Sequence, residues 1–338
     1  MFCFFRNKLK RIKERNFLVA LILGIFLGSL LFIFLNYYPA DKNVVFGVTF
    51  SKKYAEELGV DWQKAYLGML DDLKVKTLRL PVYWDDAEKE TGKYDFSAYD
   101  WMVNEAEKRN VKIILAVGVK LPRWPECHIP GWVKSDEPAK IEDSFVPFLR
   151  DAVERYKTSP SISAFQVENE PYFFREFGVC PPLPQDFLDK EVDLVKKISG
   201  RPVILTESGE LGHWERLIGK ADILGVSLYR VTWNRWVGYF FYPLTPVFYR
   251  EKIRVLRPFF EDILITELQV EPWVNKPISQ TPLEEQFKTM NLRQFKNNVD
   301  FVKHIGANEA YLWGVEWWYY MKDKGHDEFW NEGKRLFQ

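Results

Sequence analysis

The chain has 338 residues, 47% hydrophobic and 28% charged, with 47 Lys and Arg balanced by 47 Asp and Glu. This excludes a long disordered chain, a collagen-like repeat and a polytopic membrane protein, and the zero net charge argues against nucleic acid as a partner. Three Cys and four His are too few for a disulfide scaffold or a four-Cys zinc site, so no metal and no cofactor is expected, while aromatic residues stand out at 17%, with 13 Trp.

The first forty residues read as a separate unit. From Phe17 to Leu35 no residue is charged, and only Gly24, Gly28 and Ser29 interrupt the apolar run. That length is about enough for a hydrocarbon core of roughly 30 Å. Arg6, Lys8, Lys10, Arg11, Lys13 and Arg15 precede it with Glu14 as the only acid, so the positive-inside rule keeps the N-terminus cytoplasmic. A cleaved signal peptide has a shorter apolar region ending in a small-x-small site, whereas this run ends in Asn36-Tyr37-Tyr38-Pro39-Ala40. The expectation is a cytoplasmic basic segment over 1–16, an uncleaved transmembrane signal-anchor in the lipid bilayer over 17–38, and one domain over 41–338 outside the cell membrane. With six bases and one acid removed, that domain is mildly acidic.

Beyond Asp41 there is no low-complexity tract or composition step. Instead, a short apolar, β-branched run, a polar loop and a helical pattern recur. Eight such runs occur, at 44–50, 77–82, 112–117, 162–167, 202–206, 222–228, 262–266 and 309–314, with amphipathic stretches such as 98–109, 145–157, 184–198 and 281–305 between them. Eightfold alternation predicts an α/β fold of the (β/α)8 or TIM-barrel type, with a doubly wound sheet as competitor. No Gly-rich phosphate loop follows the first run, which weakens a dinucleotide fold.

Barrel chemistry sits at the C-terminal ends of strands. The second run contains Arg79 and ends at Tyr83-Trp84-Asp85-Asp86. The fourth ends at Glu168-Asn169-Glu170-Pro171, the fifth at Glu207, the sixth at Ser227 and Tyr229, the seventh at Glu267-Leu268-Gln269, and the eighth at Trp313, Glu316 and Trp317. The fourth and seventh strands are three steps apart on the ring, so Glu170 and Glu267 can face each other. Two opposed carboxyls are what glycoside hydrolysis needs, one to protonate the leaving oxygen and one to attack or to activate water. Two alternatives stay open here: Leu205-Thr206-Glu207 mimics Ile265-Thr266-Glu267, so Glu207 competes as nucleophile, and Arg79 could pair with Glu168 as a structural ion pair.

The Asn169-Glu170-Pro171 triplet after a fourth strand, with Glu267 in Ile265-Thr266-Glu267-Leu268 after a seventh, resembles the clan A glycoside hydrolases, a superfamily of retaining barrels that includes cellulases, mannanases, xylanases and β-galactosidases. The order of parts agrees over essentially all of 44–338. The resemblance implies Glu170 as acid/base, Glu267 as nucleophile, Asn169 on the sugar 2-hydroxyl, Arg79 and Tyr229 supporting the nucleophile, and Trp313 or Trp317 as the floor under the reacting sugar. An oligo- or polysaccharide is the implied partner. A retaining transglycosylase and a sugar-binding barrel without chemistry are the rival readings.

Trp62 and Trp101 fall at apolar helix positions and read as core, whereas Trp84, Trp124, Trp132, Trp233, Trp236 and Trp273 fall in loops after strands, and several of them, Trp84, Trp124 and Trp233 foremost, read as sugar-stacking platforms. The densest insertion runs from Arg230 to about Pro246, and a substrate wall, a packed loop and a membrane-touching surface all fit it. Cys127 and Cys180 lie in neighbouring loops after the third and fourth strands. Export to an oxidising compartment predicts a disulfide between them, with Cys3 left on the cytoplasmic side.

Overall fold

In the computed structural model, which describes residues 16–32, 40, 43–133, 137–173, 178, 180–181, 183–184 and 186–338, the eight apolar runs are eight parallel strands. They are β1 (Val45–Thr49), β2 (Thr77–Tyr83), β3 (Lys112–Gly118), β4 (Ile162–Val167), β5 (Val203–Ser208), β6 (Ile223–Leu228), β9 (Asp262–Gln269) and β10 (Glu309–Trp313). The ring closes in the order β1-β10-β9-β6-β5-β4-β3-β2. The insertion after β6 supplies the remaining two strands, β7 (Val231–Asn234) and β8 (Gly238–Phe241), an antiparallel hairpin.

Strands covered on both faces read as continuous apolar runs, and β2 is buried at all seven positions. Inside the ring Ile114, Ala164, Ile204, Leu264 and Tyr311 form a layer of their own. Outside it, helices such as Ser97–Glu107 and Pro138–Tyr156 turn Met102, Val103, Phe145, Phe148 and Leu149 onto the strands. Trp62 and Trp101 meet edge to face at 5.2 Å in this outer layer, as their helix positions predict.

Two differences from the expected elements have local causes. The stretch 281–305 is two helices, Leu283–Thr289 and Leu292–Val302, because Asn291 opens a new helix with a capping box: its side chain accepts from Arg293 and Gln294 while Gln294 reaches back to its backbone. The insertion after β6 is a hairpin rooted on β9, where the Gln269 side chain bonds the backbone of Arg230 and Val231.

Only part of the expected membrane segment falls among the described residues. Residues 16–32 are helical with every side chain exposed, whereas 33–38, most of the basic segment and Cys3 lie outside the described residues. Among the described residues no helix is long and apolar enough to cross a membrane.

Candidate active site

The chain leaving β4 makes a tight turn over the mouth of the barrel. Glu168 and Glu170 both adopt left-handed backbone, at φ 53° and 47°, a conformation that costs on the order of 1 kcal/mol or more for a non-glycine residue. Side chains and backbone around the turn hold it there. The Glu168 carboxylate accepts from the backbone N–H groups of Val119 (2.6 Å) and Lys120 (2.7 Å). Glu170 N–H donates to Thr206 Oγ1 (2.8 Å), and that hydroxyl donates in turn to Asn169 Oδ1 (3.1 Å). Gly118 makes room, since a Cβ there would stand 2.9 Å from the Glu168 backbone. The turn is thus locked on both flanks, by β3 and by β5.

Arg79, fully buried on β2, joins this turn to β9. Its Nε donates to Gln166 Oε1 (2.6 Å), Nη2 to Asn169 Oδ1 (2.8 Å) and Nη1 to Glu267 Oε1 (2.8 Å). The other Glu267 oxygen accepts from the Tyr229 hydroxyl (2.7 Å), and the Tyr229 ring packs edge-on against Trp273. Glu267 therefore acts as acceptor at both oxygens, with its plane fixed by a guanidinium and a phenol. Asn169 Oδ1 accepts from both Arg79 and Thr206, which fixes the amide.

Glu168 and Glu207 stand apart from the Arg79 network. Glu168 is not the partner of Arg79. It is held by β3 backbone and by its contact with Glu191, a buried carboxyl whose pKa is driven well up by burial and by the charge of Glu168. Glu207 accepts from Ser208 N–H (3.1 Å) at the edge of β5, while Arg79 and Tyr229 both converge on Glu267.

Glu170 has a different environment from Glu267. Burial pushes its carboxyl up to about 8, with the charges of Glu267 and Glu126 adding to the rise and Lys120 opposing it. Sequence patterns did not single out Lys120 or Glu126. Lys120 Nζ donates to the carbonyls of Glu170 (3.1 Å) and Phe173 (2.9 Å) and pairs with Glu126 at 3.3 Å. Glu126 is itself pushed up to about 7 by burial. The Cys127–Cys180 disulfide forms as expected, with a Cα separation of 5.2 Å, and fastens the same two loops.

The aromatic expectations divide. Trp84 is not a platform: it is fully buried, donates to Glu88, and packs on Phe145 and Phe148, because the chain after β2 turns at once into a short helix that points the indole outward into the helix layer. Trp132 covers the same cluster. Trp317 is likewise core, lying on helix Val315–Asp323 with its N–H on Gln286 and its ring on Phe329. Trp313 is the last residue of β10. Trp124 is well exposed on the loop after β3, Trp233 is half-buried on β7, and Trp236 stands out at the hairpin tip.

A second charged cluster lies beside Trp313, and of its charged members the sequence singled out only Glu316. Arg123, from the loop after β3, inserts its guanidinium between the rings of Tyr54 and Trp313, 3.5 and 3.8 Å from their centroids. It pairs with Glu271 and, at 3.1 Å, with Glu316. Glu271 is raised by burial, and burial pushes Glu316 up to about 7, in both cases against the pull of Arg123.

The profile of the cellulase family, glycosyl hydrolase family 5, matches residues 41–212, a stretch that carries Arg79, Asn169 and Glu170 and stops before Tyr229 and Glu267. No curated protein matches the chain. Among solved structures, a β-galactosidase from the psychrophilic Marinomonas ef1 is 12% identical, with a TM-score of 0.51 over 79% of this chain and 53% of its own. A cold-adapted β-galactosidase from Rahnella sp. R3 is 11% identical, with a TM-score of 0.55 over 90% of this chain and 56% of its own. Xylanase 10B from Thermotoga maritima is 14% identical, with a TM-score of 0.55 over 80% of this chain and 83% of its own. These likenesses establish the barrel fold, and the chain spans little more than half the length of the two β-galactosidases.

Proposed function

The chain belongs to the cellulase family, glycosyl hydrolase family 5, and on that premise we propose that it is a retaining glycoside hydrolase acting on a β-linked oligo- or polysaccharide. The observation that carries this reading is the contrast between the two carboxyls: Glu267 accepts hydrogen bonds at both oxygens from Arg79 and Tyr229, while Glu170 is raised to about 8 and so holds its proton at neutral pH. Glu267 attacks the anomeric carbon as the bond to the leaving oxygen breaks, and that oxygen takes the proton of Glu170. Water then gives a proton to Glu170 and its oxygen to the anomeric carbon, which frees Glu267. Asn169 offers Nδ2 to the sugar 2-hydroxyl, and Trp124 and Trp233 offer rings to sugars beyond the cleaved bond.

The test is incubation of the full chain with β-glucans, mannans, xylans and galactans, with product sizes read by mass spectrometry and the first-formed anomer by proton NMR. A β-anomer from a β-linked substrate is expected, and an inverted product overturns the retaining assignment. Products longer than the substrate would identify a transglycosylase. Binding without cleavage across the panel would leave a sugar-binding barrel.

The enzyme is further proposed to be held at the cell membrane by residues 17–38, with its N-terminus cytoplasmic and the barrel outside. Support comes from the apolar, exposed helix over 16–32, the basic residues before it and a disulfide suited to an oxidising compartment. Protease added to intact cells should degrade the barrel and spare the basic segment. A soluble mature protein beginning near Asp41 would refute the anchor.

A further inference from the structure

Glu170 follows β4, and β10 lies four steps from β4 in either direction around the ring, diametrically opposite. Glu267 lies near the C-terminal end of β9, the neighbour of β10. A sugar seated over Glu267 with its glycosidic oxygen turned to Glu170 therefore points its non-reducing end toward β10 and β1. Standing there is the Arg123 cluster, built from four places: the loop after β3, Tyr54 after β1, Glu271 after β9, and Trp313 with Glu316 at the end of β10. The loop after β3 reaches it by crossing the mouth in front of β2 and β1.

This cluster is built as a wall rather than as a swinging lid. Its guanidinium is sandwiched between two rings, paired with two carboxylates, and only 8% exposed. Its loop is tied down on both sides of Arg123: the Tyr83 hydroxyl bonds the Pro122 carbonyl (3.0 Å), and Leu121 N–H bonds the Glu126 carbonyl (2.8 Å), next to the disulfide at Cys127. Trp313 keeps 6% of its surface exposed, with Arg123 stacked on its ring.

We propose that Arg123 closes the glycone end of the active site, so that it admits a single sugar beyond Glu267 and the enzyme removes one residue at a time from the non-reducing end of its glycan. The inference rests on the glycosidase reading above and adds the mode of action to it. An interior segment of a polymer would have to pass through the Tyr54–Arg123–Trp313 stack to place its bond between Glu170 and Glu267.

The experiment uses the full chain with gluco-, manno-, xylo- and galacto-oligosaccharides of three to six units, labelled at the reducing end and followed by mass spectrometry at early times. Aryl monoglycosides are assayed beside them with the wild type and with Glu267→Ala. The expected result is a labelled ladder that shortens by one unit at a time, with free monosaccharide. Arg123→Ala should open the wall and produce first products two or more units shorter. Wild-type first products that lack two or more units overturn the inference, as does a folded, active Arg123→Ala variant that still releases only single units. Should that variant fail to fold, the wild-type product length decides alone. Absence of any cleavage, of aryl monoglycosides included, overturns the glycosidase reading and this inference together, whereas internal cleavage that is lost in Glu267→Ala overturns the inference only.

Discussion

The side of the mouth built from β2, β4 and β9 and the strap that follows β3 both hold charged groups away from water, but they do so differently. On the first side the Arg79 guanidinium and the Glu267 carboxylate have partners of fixed geometry at every nitrogen and oxygen: Arg79 reaches Gln166, Asn169 and Glu267, and Glu267 also receives Tyr229. On the strap, Arg123 lies between rings and carboxylates, and its Nε has no partner among the described residues. Saturated hydrogen bonding positions atoms to fractions of an ångström, as bond-making demands, whereas stacking and charge fill space, as a wall demands. The difference teaches that position and shape are specified by separate parts of this mouth.

The largest effect that would break this comparison is loss of the proposed nucleophile. Glu267→Ala should lower kcat/KM by roughly four orders of magnitude or more, the scale for removing one member of a catalytic unit. Glu170→Ala, assayed with a good leaving group, should still be glycosylated and be rescued by azide, because only protonation and water activation are lost. Azide rescue of the Glu267 variant rather than the Glu170 variant would reverse the two roles.

Next in size is Arg79→Lys. A lysine keeps the charge but cannot bond Gln166, Asn169 and Glu267 at once, since it lacks the planar fork. We expect kcat to fall by about 10²-fold, comparable to loss of one preorganised donor, with a smaller change in KM. An unchanged kcat would show that the saturated network is structural only.

The pH dependence links the two sides. Glu170 must carry a proton to act as acid, and burial, Glu267 and Glu126 push its carboxyl up to about 8. Activity therefore falls as pH rises through about 8. Glu126→Gln removes one of the charges that raise it, so the alkaline limb of kcat/KM should move to lower pH. A limb that stays in place would separate Glu126 from Glu170. Stability follows the same sign. Carboxyls raised in the fold, including Glu168 at about 7 and Glu316 at about 7, bind more protons folded than unfolded. Their contribution is fully present below about pH 4, near the ordinary carboxylate value, and is lost as pH rises toward 8. Tm should be higher at pH 5 than at pH 8.

Much of the first side was legible in the sequence because barrel topology fixes where strand ends go. Once eight runs are counted, Arg79, Asn169, Glu170, Tyr229 and Glu267 must gather at the same end of the barrel. Trp84 departs from its expected place, and the choice between Trp313 and Trp317 stays open in the sequence, because parity says nothing once the chain turns into a helix: Trp84 directly follows β2 and Trp317 lies four residues past the end of β10, and the first helical turn swings each indole into the outer core. Arg123 and Lys120 were invisible for a related reason. They sit on a loop of irregular backbone, with Arg123 itself at φ 85°, and the direction of such a loop depends on Tyr54, Glu271 and Glu316, which are far away in sequence.

The smallest expected effect on chemistry concerns the clasp between the strap and the β4 loop. The Cys127–Cys180 bond spans a sequence separation of 53 residues, and closing a loop of that length restricts the unfolded chain by up to about 4 kcal/mol in the chain-entropy model. Its removal by Cys127→Ser with Cys180→Ser should therefore appear chiefly as a lower Tm. The local geometry has other supports: Lys120 still bonds the Glu170 and Phe173 carbonyls, and Tyr83 still holds Pro122. On an aryl monoglycoside kcat should change by less than about tenfold, the equivalent of 1.4 kcal/mol in the barrier. On longer substrates the strap matters more, because Arg123 is four residues from Cys127 and shares its loop. Release of products longer than one unit by the double variant, with kcat on the monoglycoside preserved, would show that the disulfide keeps the wall closed without positioning the catalytic carboxyls. A collapse of kcat on the monoglycoside at unchanged Tm would instead make the strap part of the positioning network and erase the distinction between the two sides.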